Sequence, residues 1–288
     1  MSDRILDIDH LMVSVTDSQA AGDAFERLGF TLTPRSILPG MSNRLICFQP
    51  PAPDRCNFIE FLALDDADQA PQIMSDVLLP PERPVSMVTV SNDVQACAET
   101  LRARGLDVPD PLRFKRDWHL PNGEVISPEF IVLIPTFGQA PLYWNVAQYL
   151  NPELYRRPEF TKHPNTATGF AGVLAIAGDP HAVAEHFGRM WEATIIEEEG
   201  GAVRIGLDNV FLRLLPATAA ADIYPGTPVD LGSAAARMIG FAITVADRAV
   251  LRALLDAVSV ASNPAEAGGL WVGPDAARGC VVHFLPAD

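Results

Sequence analysis

IDHLMVSVTD (8–17) returns in altered form three times along the chain, as PVSMVTVSND (84–93), FAGVLAIAGD (170–179) and MIGFAITVAD (238–247). Each copy is a run of apolar, largely β-branched residues closing on Asp or Asn-Asp. That is the pattern of a strand leading into a helix whose first turn an aspartate can cap. A second apolar segment ends each unit: NFIEFL (57–62), NVAQYL (145–150), NVFLRL (209–214) and CVVHFL (280–285). Repetition sets the architecture before any single residue is weighed, and it lets the copies be compared position by position.

Working outward from the first copy, Ser18 to Leu28 reads as a helix, with Ala21, Ala24, Phe25 and Leu28 at helical spacing. Asp17 or Ser18 is its N-cap, and Gly29 closes it where the backbone must turn left-handed. Phe30–Leu32, Asn43–Phe48 and Asn57–Leu62 supply three more strands, so the unit order is β-α-β-β-β. The other helices fall at Val94–Arg104, His181–Met190 and Arg248–Val258. The units span residues 6–64, 84–150, 168–215 and 237–286, and an insertion around 113–129 lengthens the second. The proline-bearing stretch 151–167 divides them into two pairs, which predicts two domains, 1–150 and 168–288. The expected fold class is α+β: four modules paired into two curved, partly closed mixed β-barrels with helices outside, and a ligand on a concave face.

Bulk composition narrows the partners. The chain has 288 residues, 48% hydrophobic and 20% charged, which suits a folded globular protein of about two domains. A net charge of -15 argues against nucleic acid or an anionic membrane as a partner. MSDRILDIDHLMVSV (1–15) does not read as a signal peptide, and no apolar run approaches the roughly 20 residues of a membrane span. A cytoplasmic location is therefore expected. Cys47, Cys56, Cys97 and Cys280 fit no zinc spacing and read as buried free thiols.

This pattern resembles the vicinal oxygen chelate superfamily, and within it the glyoxalase-like branch that shares its fold with bleomycin-resistance proteins and extradiol dioxygenases. IDHLMVSV with GFTLTP (29–34), NRLICF (43–48), NFIEFLAL (57–64) and YLNPELYRRPEFTKHPNTA (149–167) carry the resemblance, which covers all four units. It implies paired β-α-β-β-β modules, one divalent ion (Zn, Ni, Mn or Fe) inside a barrel, and a small substrate with adjacent oxygens. In that superfamily the ligands come from the first and last strands of each module. Those places here carry His10, Ser86, Gly172 and Gly240, and then Glu60, Gln148, Leu212 and His283.

The N-terminal pair thus offers His10, Glu60 and Gln148 as metal ligands, with Glu60 also the candidate base. A carboxylate between Phe58 and Leu62 on one strand face is costly to bury unless it is paired or bound to metal. The amide of Gln148 is a poor ligand, and one histidine among two glycines and a leucine leaves the C-terminal pair a degenerate copy. Two bland readings stand beside these: a structural His10 bonded to backbone carbonyls, and Glu60 paired with Arg44. His283 reads as structural; His163, in the interdomain His-Pro-Asn, draws interest through the resemblance and is explained as well by a clasp at the boundary. Arg44, Arg116, Trp118 and Trp144 are the candidate substrate-binding residues. The cluster Arg113–His119 reads either as an anion-binding loop or as a solvated turn led by Pro121-Asn122-Gly123.

Two functions follow from the resemblance. One is a metal-dependent lyase or isomerase acting through the N-terminal pair; dioxygenase chemistry is disfavoured by the missing second histidine. The other is a metal-free module that sequesters a small molecule. Either takes a small-molecule partner, and a second copy of the chain remains an open one. No nucleophile elbow, phosphate loop or dinucleotide fingerprint occurs.

Overall fold

The computed structural model describes residues 4–50 and 52–287. The start of the N-terminal stretch therefore lies outside the described residues. The N-terminal half contains β1 (Asp7–Val15), α1 (Ser18–Arg27), β2 (Ser36–Leu38), β3 (Met41–Cys47), β4 (Phe58–Leu64), α2 (Gln72–Val77), β5 (Arg83–Val90) and α3 (Val94–Ala103). It continues with β6 (Leu112–Lys115), β7 (Trp118–His119), β8 (Val125–Ile126), β9 (Glu129–Leu133) and β10 (Trp144–Tyr149). A short α4 (Pro158–Thr161) leads into the C-terminal half. There lie β11 (Ala167–Ala177), α5 (Pro180–Trp191), β12 (Thr194–Glu197), β13 (Val203–Gly206), β14 (Phe211–Pro216), α6 (Ala217–Ile223), β15 (Ala236–Val245), α7 (Arg248–Ala257), β16 (Asn263–Pro264), β17 (Leu270–Val272) and β18 (Val281–Pro286).

The aspartate that ends each repeat is the N-cap of the following helix. Asp17 accepts from the backbone N–H of Gln19 and Ala20, Asp93 from Ala96, Asp179 from Ala182, and Asp247 from Ala249 and Val250. Each satisfies donors that the first turn would otherwise leave unpaired. Gly29 and Gly105, at φ of 82° and 87°, turn the chain out of α1 and α3 in the left-handed region.

Strands from both N-terminal modules form one eight-stranded mixed sheet in the order β2-β3-β4-β1-β5-β10-β9-β6. The C-terminal modules repeat it as β12-β13-β14-β11-β15-β18-β17-β16. Modules therefore pair within halves, through β1 against β5 and β11 against β15. The result is α+β, two curled sheets each backed by helices. One apolar core joins the helix-bearing faces: Phe25 of α1 packs on Phe61 and Phe241, and Phe30 on Phe284. Asn57 ties the halves further by bonding both backbone groups of Phe170.

Two local expectations fail. Residues 30–32 form no strand; the hairpin strand is Ser36–Leu38, and Thr33 instead bonds Leu45 through backbone and hydroxyl. The insertion is not a plain loop either, because it supplies edge strand β6 and the small β7–β8 hairpin. All four cysteines are buried and free. Among the described residues no helix is long and apolar enough to cross a membrane.

Candidate functional site

Parallel pairing of β1 with β4 sets Met12 opposite Glu60, and His10, two residues earlier, shares that concave face. The two side chains meet there, His10 Nε2 lying 3.6 Å from Glu60 Oε2. The other imidazole nitrogen, Nδ1, is 2.7 Å from Asp9 Oδ1 and 3.2 Å from the Tyr149 hydroxyl. Glu60 Oε1 accepts from Asn43 Nδ2 and lies 3.4 Å from Arg116 Nη1. The phenol of Tyr155 is 3.4 Å from Arg116 Nη2. Asp9, His10, Glu60 and Arg116 are all buried and alternate in sign, so the group is close to neutral as a set.

Their ionisation follows from those contacts. Burial alone would raise the Glu60 carboxyl, but His10, Arg116 and Asn43 together hold it down at about 2. Burial likewise opposes the charge on His10, and Asp9 and Glu60 overcome it, so its pKa lies above the ordinary imidazole value. Glu60 is thus a weak base while it keeps these partners, and the contacts of His10 with Asp9 and Glu60 favour its protonated form.

Aromatic rings roof the group. Phe58 stacks on His10 at 4.0 Å, and Tyr155 stacks on Phe58 at 5.4 Å. The hairpin β7–β8 brings Trp118 and Ile126 down onto Leu45, Cys47 and Phe58, joined by Tyr155 and Phe160 from the interdomain segment. The Arg116 guanidinium sits 5.5 Å from the Trp118 ring and 5.4 Å from Phe130. Two buried donors here, Arg116 Nε and Trp118 Nε1, have no acceptor among the described residues.

Of the residues picked from sequence, His10, Glu60, Arg116 and Trp118 come together, and Gln148, Arg44 and Trp144 do not join them. Gln148 faces the helix layer, where its Oε1 accepts from the N–H of Val94 at the start of α3. Trp144 shares that face and lies in the main core. Arg44 also points there, bonding Thr33 O, Glu26 and Asp23, so the partner of Glu60 is Arg116 and not Arg44. The error is one of register. Met12 pairs with Glu60 and its counterpart Val88 with Asn145, so the true counterpart of Glu60 is Asn145, three residues before Gln148. An odd slip along a strand moves a residue to the opposite face.

The same logic corrects the C-terminal half. Leu174 pairs with Arg213, so Arg213 stands where Glu60 stands, and Leu212 points into the core. His283 pairs with Ala242 and takes the place of Asn145. It bonds the Tyr224 hydroxyl at 2.8 Å, while burial, reinforced by the charge of Arg213, lowers its pKa to about 4. His163 accepts from Thr31 N and bonds Cys47 O, clasping the connector to the first half. Of the cluster 113–119, exposed Arg113 pairs with half-buried Glu129, Asp117 accepts from Ser127, and Lys115 and His119 face solvent. Asn43, Tyr149 and Tyr155 belong to the site without any mark in the sequence. The two tyrosines fall inside the proline-rich segment 149–167, where nothing local shows that they face His10.

A divalent ion needs several anionic or imidazole donors converging on one point. The four chelate positions here are His10, Glu60, Ser86 and Asn145, and among the described residues no group of three His, Cys, Asp or Glu could hold an ion. Ser86 Oγ turns to its neighbour's carbonyl at 3.4 Å, Asn145 Nδ2 to Met12 Sδ at 3.8 Å, and a guanidinium already sits against Glu60. This donor set does not fit a divalent ion.

Solved structures share the fold at low identity. A hypothetical protein from Staphylococcus aureus superposes with a TM-score of 0.68 at 13% identity, covering 98% of this chain and all of that one. A Mn(II)-bound glyoxalase from Novosphingobium aromaticivorans gives 0.56 at 11% identity, over 98% of this chain and 82% of that one. A halotolerant catechol dioxygenase gives 0.54 at 11%, over 99% and 88%. No curated protein matches in sequence. The family model of the glyoxalase-like domain matches residues 8–192, more than half of the chain and all of the site just described. By that match this chain belongs to the glyoxalase-like domain family.

Proposed function

We propose that the N-terminal half is an isomerase or lyase site for a small molecule with adjacent oxygens, moving a proton at a carbon beside a carbonyl group. The observation that carries this reading is the His10–Glu60 pair set beside two buried donors without acceptors, Arg116 Nε and Trp118 Nε1. Two neighbouring ligand oxygens answer such donors, and a buried donor left unpaired costs about 1–3 kcal/mol.

Arg116 takes the electrophilic part. A ligand oxygen that takes over the guanidinium removes one cause of the low Glu60 pKa and raises that carboxyl toward the ordinary range. Glu60 then accepts the carbon proton, and the electron pair left behind moves onto the carbonyl oxygen, held as an enolate by Arg116. In an isomerisation the proton on Glu60 passes to the former carbonyl carbon while the adjacent hydroxyl gives its proton to the enolate oxygen and becomes the new carbonyl; in a lyase reaction the proton stays on Glu60 while a leaving group departs with the electron pair. His10, fixed by Asp9 and Tyr149, keeps Glu60 oriented. No step is routed through a metal, because the donor set does not fit one.

Closure of the site favours a second reading, in which the ligand is held without turnover: His10, Glu60 and Arg116 are each no more than 8% exposed under the aromatic roof. Proton NMR in heavy water separates the two. A panel of small 2-oxo and 2-hydroxy acids should include one whose α-hydrogen signal is lost with the wild-type chain. Glu60→Gln should slow that exchange at least about 100-fold and leave binding in place. Binding with no exchange for any compound would leave sequestration as the function.

A further inference from the structure

Away from this site, a cleft of about 270 Å³ opens between the halves, where β5 and β15 begin. Arg83 enters it from the first half and Arg237 from the second. Among the described residues each guanidinium is held by backbone carbonyls: Arg83 Nη1 by Leu79 O at 2.9 Å and Pro81 O at 3.2 Å, Arg237 Nη2 by Pro228 O at 2.5 Å. Among the described residues neither makes an ion pair. Of the nearby carboxylates, Glu82 bonds Thr16 and pairs with Arg278, and Asp76, which lines the cleft, accepts from Gln72 and forms no ion pair with either arginine. Two arginines that line one cleft without an ion pair repel each other. Burial, and then the charge of Arg237, pulls the Arg83 guanidinium below its ordinary range.

The remaining lining is chemically specific. Tyr143 Oη is buried and has no partner among the described residues. Phe137 covers the Tyr143 ring at 5.3 Å and is itself 58% exposed, and Met238 and Trp144 complete an apolar wall. An anion needs charged donors and a hydroxyl, and an apolar body needs such a wall.

We propose that this interdomain cleft binds a small organic anion, an aryl carboxylate or aryl phosphate, through Arg83, Arg237 and Tyr143. The anionic group bridges the two arginines, the Tyr143 hydroxyl donates to it, and the ring lies against Phe137. Because one arginine comes from each half, occupancy ties the halves together. This site shares no residue with the His10–Glu60 group and stands independently of the function proposed for it.

Tryptophan fluorescence of the full chain, with Trp144 in the wall as reporter, tests the proposal. Phenyl phosphate, benzoate, inorganic phosphate and neutral benzyl alcohol are titrated in turn. Saturable binding is expected for benzoate, phenyl phosphate or both, at least about tenfold tighter than for benzyl alcohol. Arg83→Gln and Arg237→Gln should each weaken it at least about tenfold, and Tyr143→Phe should weaken it less. Tight binding of inorganic phosphate alone would overturn the organic class. The site itself is overturned by equal binding of benzyl alcohol, by no saturable binding of either aryl anion, or by binding that both arginine variants, folded by circular dichroism, leave unchanged. The charged-against-neutral comparison uses only the wild-type protein, so it can overturn the proposal even where a variant fails to fold.

Discussion

The strand positions that hold His10, Glu60, Ser86 and Asn145 in the N-terminal sheet hold Gly172, Arg213, Gly240 and His283 in the C-terminal one. Both sheets have the same strand order and the same central pairing. Their concave faces are nevertheless filled in different ways. In the first, Phe58 lies on an imidazole; in the second, Phe211 lies on bare Gly172, where an added Cβ would come within 2.3 Å of its ring. Glu60 is a carboxylate under a guanidinium brought by an inserted hairpin. Arg213 is a guanidinium between Glu198 and Glu266, paired across the ladder with Leu174 and within reach of the Tyr224 hydroxyl. The comparison teaches that a scaffold can keep its register while its interior reverses charge, so function is read from the filling and not from the fold.

The largest test of this contrast is the loss of either guanidinium. Arg116→Ala leaves Glu60 buried with His10 and Asn43 but without the guanidinium, and stability should fall by about 3 kcal/mol. Arg213→Ala should cost less, because Glu198 keeps Arg204 and Glu266 is 55% exposed. Urea denaturation of the two variants measures both, and equal losses would break the distinction.

The C-terminal interior should also refuse the side chains of the first half. A Cβ on Gly240 would lie 2.0 Å from the Val281 carbonyl oxygen, a backbone atom that cannot swing aside. Gly240→Ser, which copies Ser86, should therefore destabilise by about 3 kcal/mol. Gly172→Ala, which meets only the Phe211 ring, should cost about 1–2 kcal/mol. Thermal unfolding of the pair reads the order, and a tolerated Gly240→Ser would show that this half is degenerate by sequence drift alone.

Acid separates Glu60 from His283 by window. The Glu60 carboxyl sits at about 2 in the folded chain against an ordinary 4.5, so its stabilisation is complete above 4.5 and is lost as pH falls toward 2. His283 lies at about 4 against 6.5, so the unfolded chain takes up a proton that the folded chain refuses. Stability therefore drops between pH 6.5 and 4, by at most about 3 kcal/mol. His163, also lowered to about 4, adds to that window. Urea midpoints across pH should show the upper decline shrink in His283→Asn while the lower one stays. An unchanged upper decline in that variant would assign it to other groups. His10 runs the other way: its contribution is full below 6.5 and lost as pH rises through its raised folded value.

How much of this was legible from residues alone differs sharply between levels. The four repeats, the cap of the first helix and the glycines after the first two helices rest on local rules, and they gave the four modules directly, while the pairing of modules within halves came from the sheets. His10 and Glu60 were also legible, because an ionisable residue inside an apolar strand stands out wherever the strand pairs. Counterparts in the other units were not. NVAQYL and NVFLRL match NFIEFL letter by letter, yet the ladder slips them by three residues and by one, and a slip of odd length turns Gln148 and Leu212 to the wrong face.

Sequence by itself thus determined the fold class and put His10 and Glu60 on neighbouring strands of the first sheet. Tertiary structure alone decided which cation meets Glu60. Arg44 is 16 residues away in the chain but on the far side of its strand, while Arg116, from a hairpin 56 residues away, folds over the concave face. It alone also decided that Arg83 and Arg237, more than 150 positions apart, share one cleft. Periodicity and capping are set by neighbours a few residues away, whereas contacts between strands and inserted loops depend on register and curvature, which no local pattern encodes.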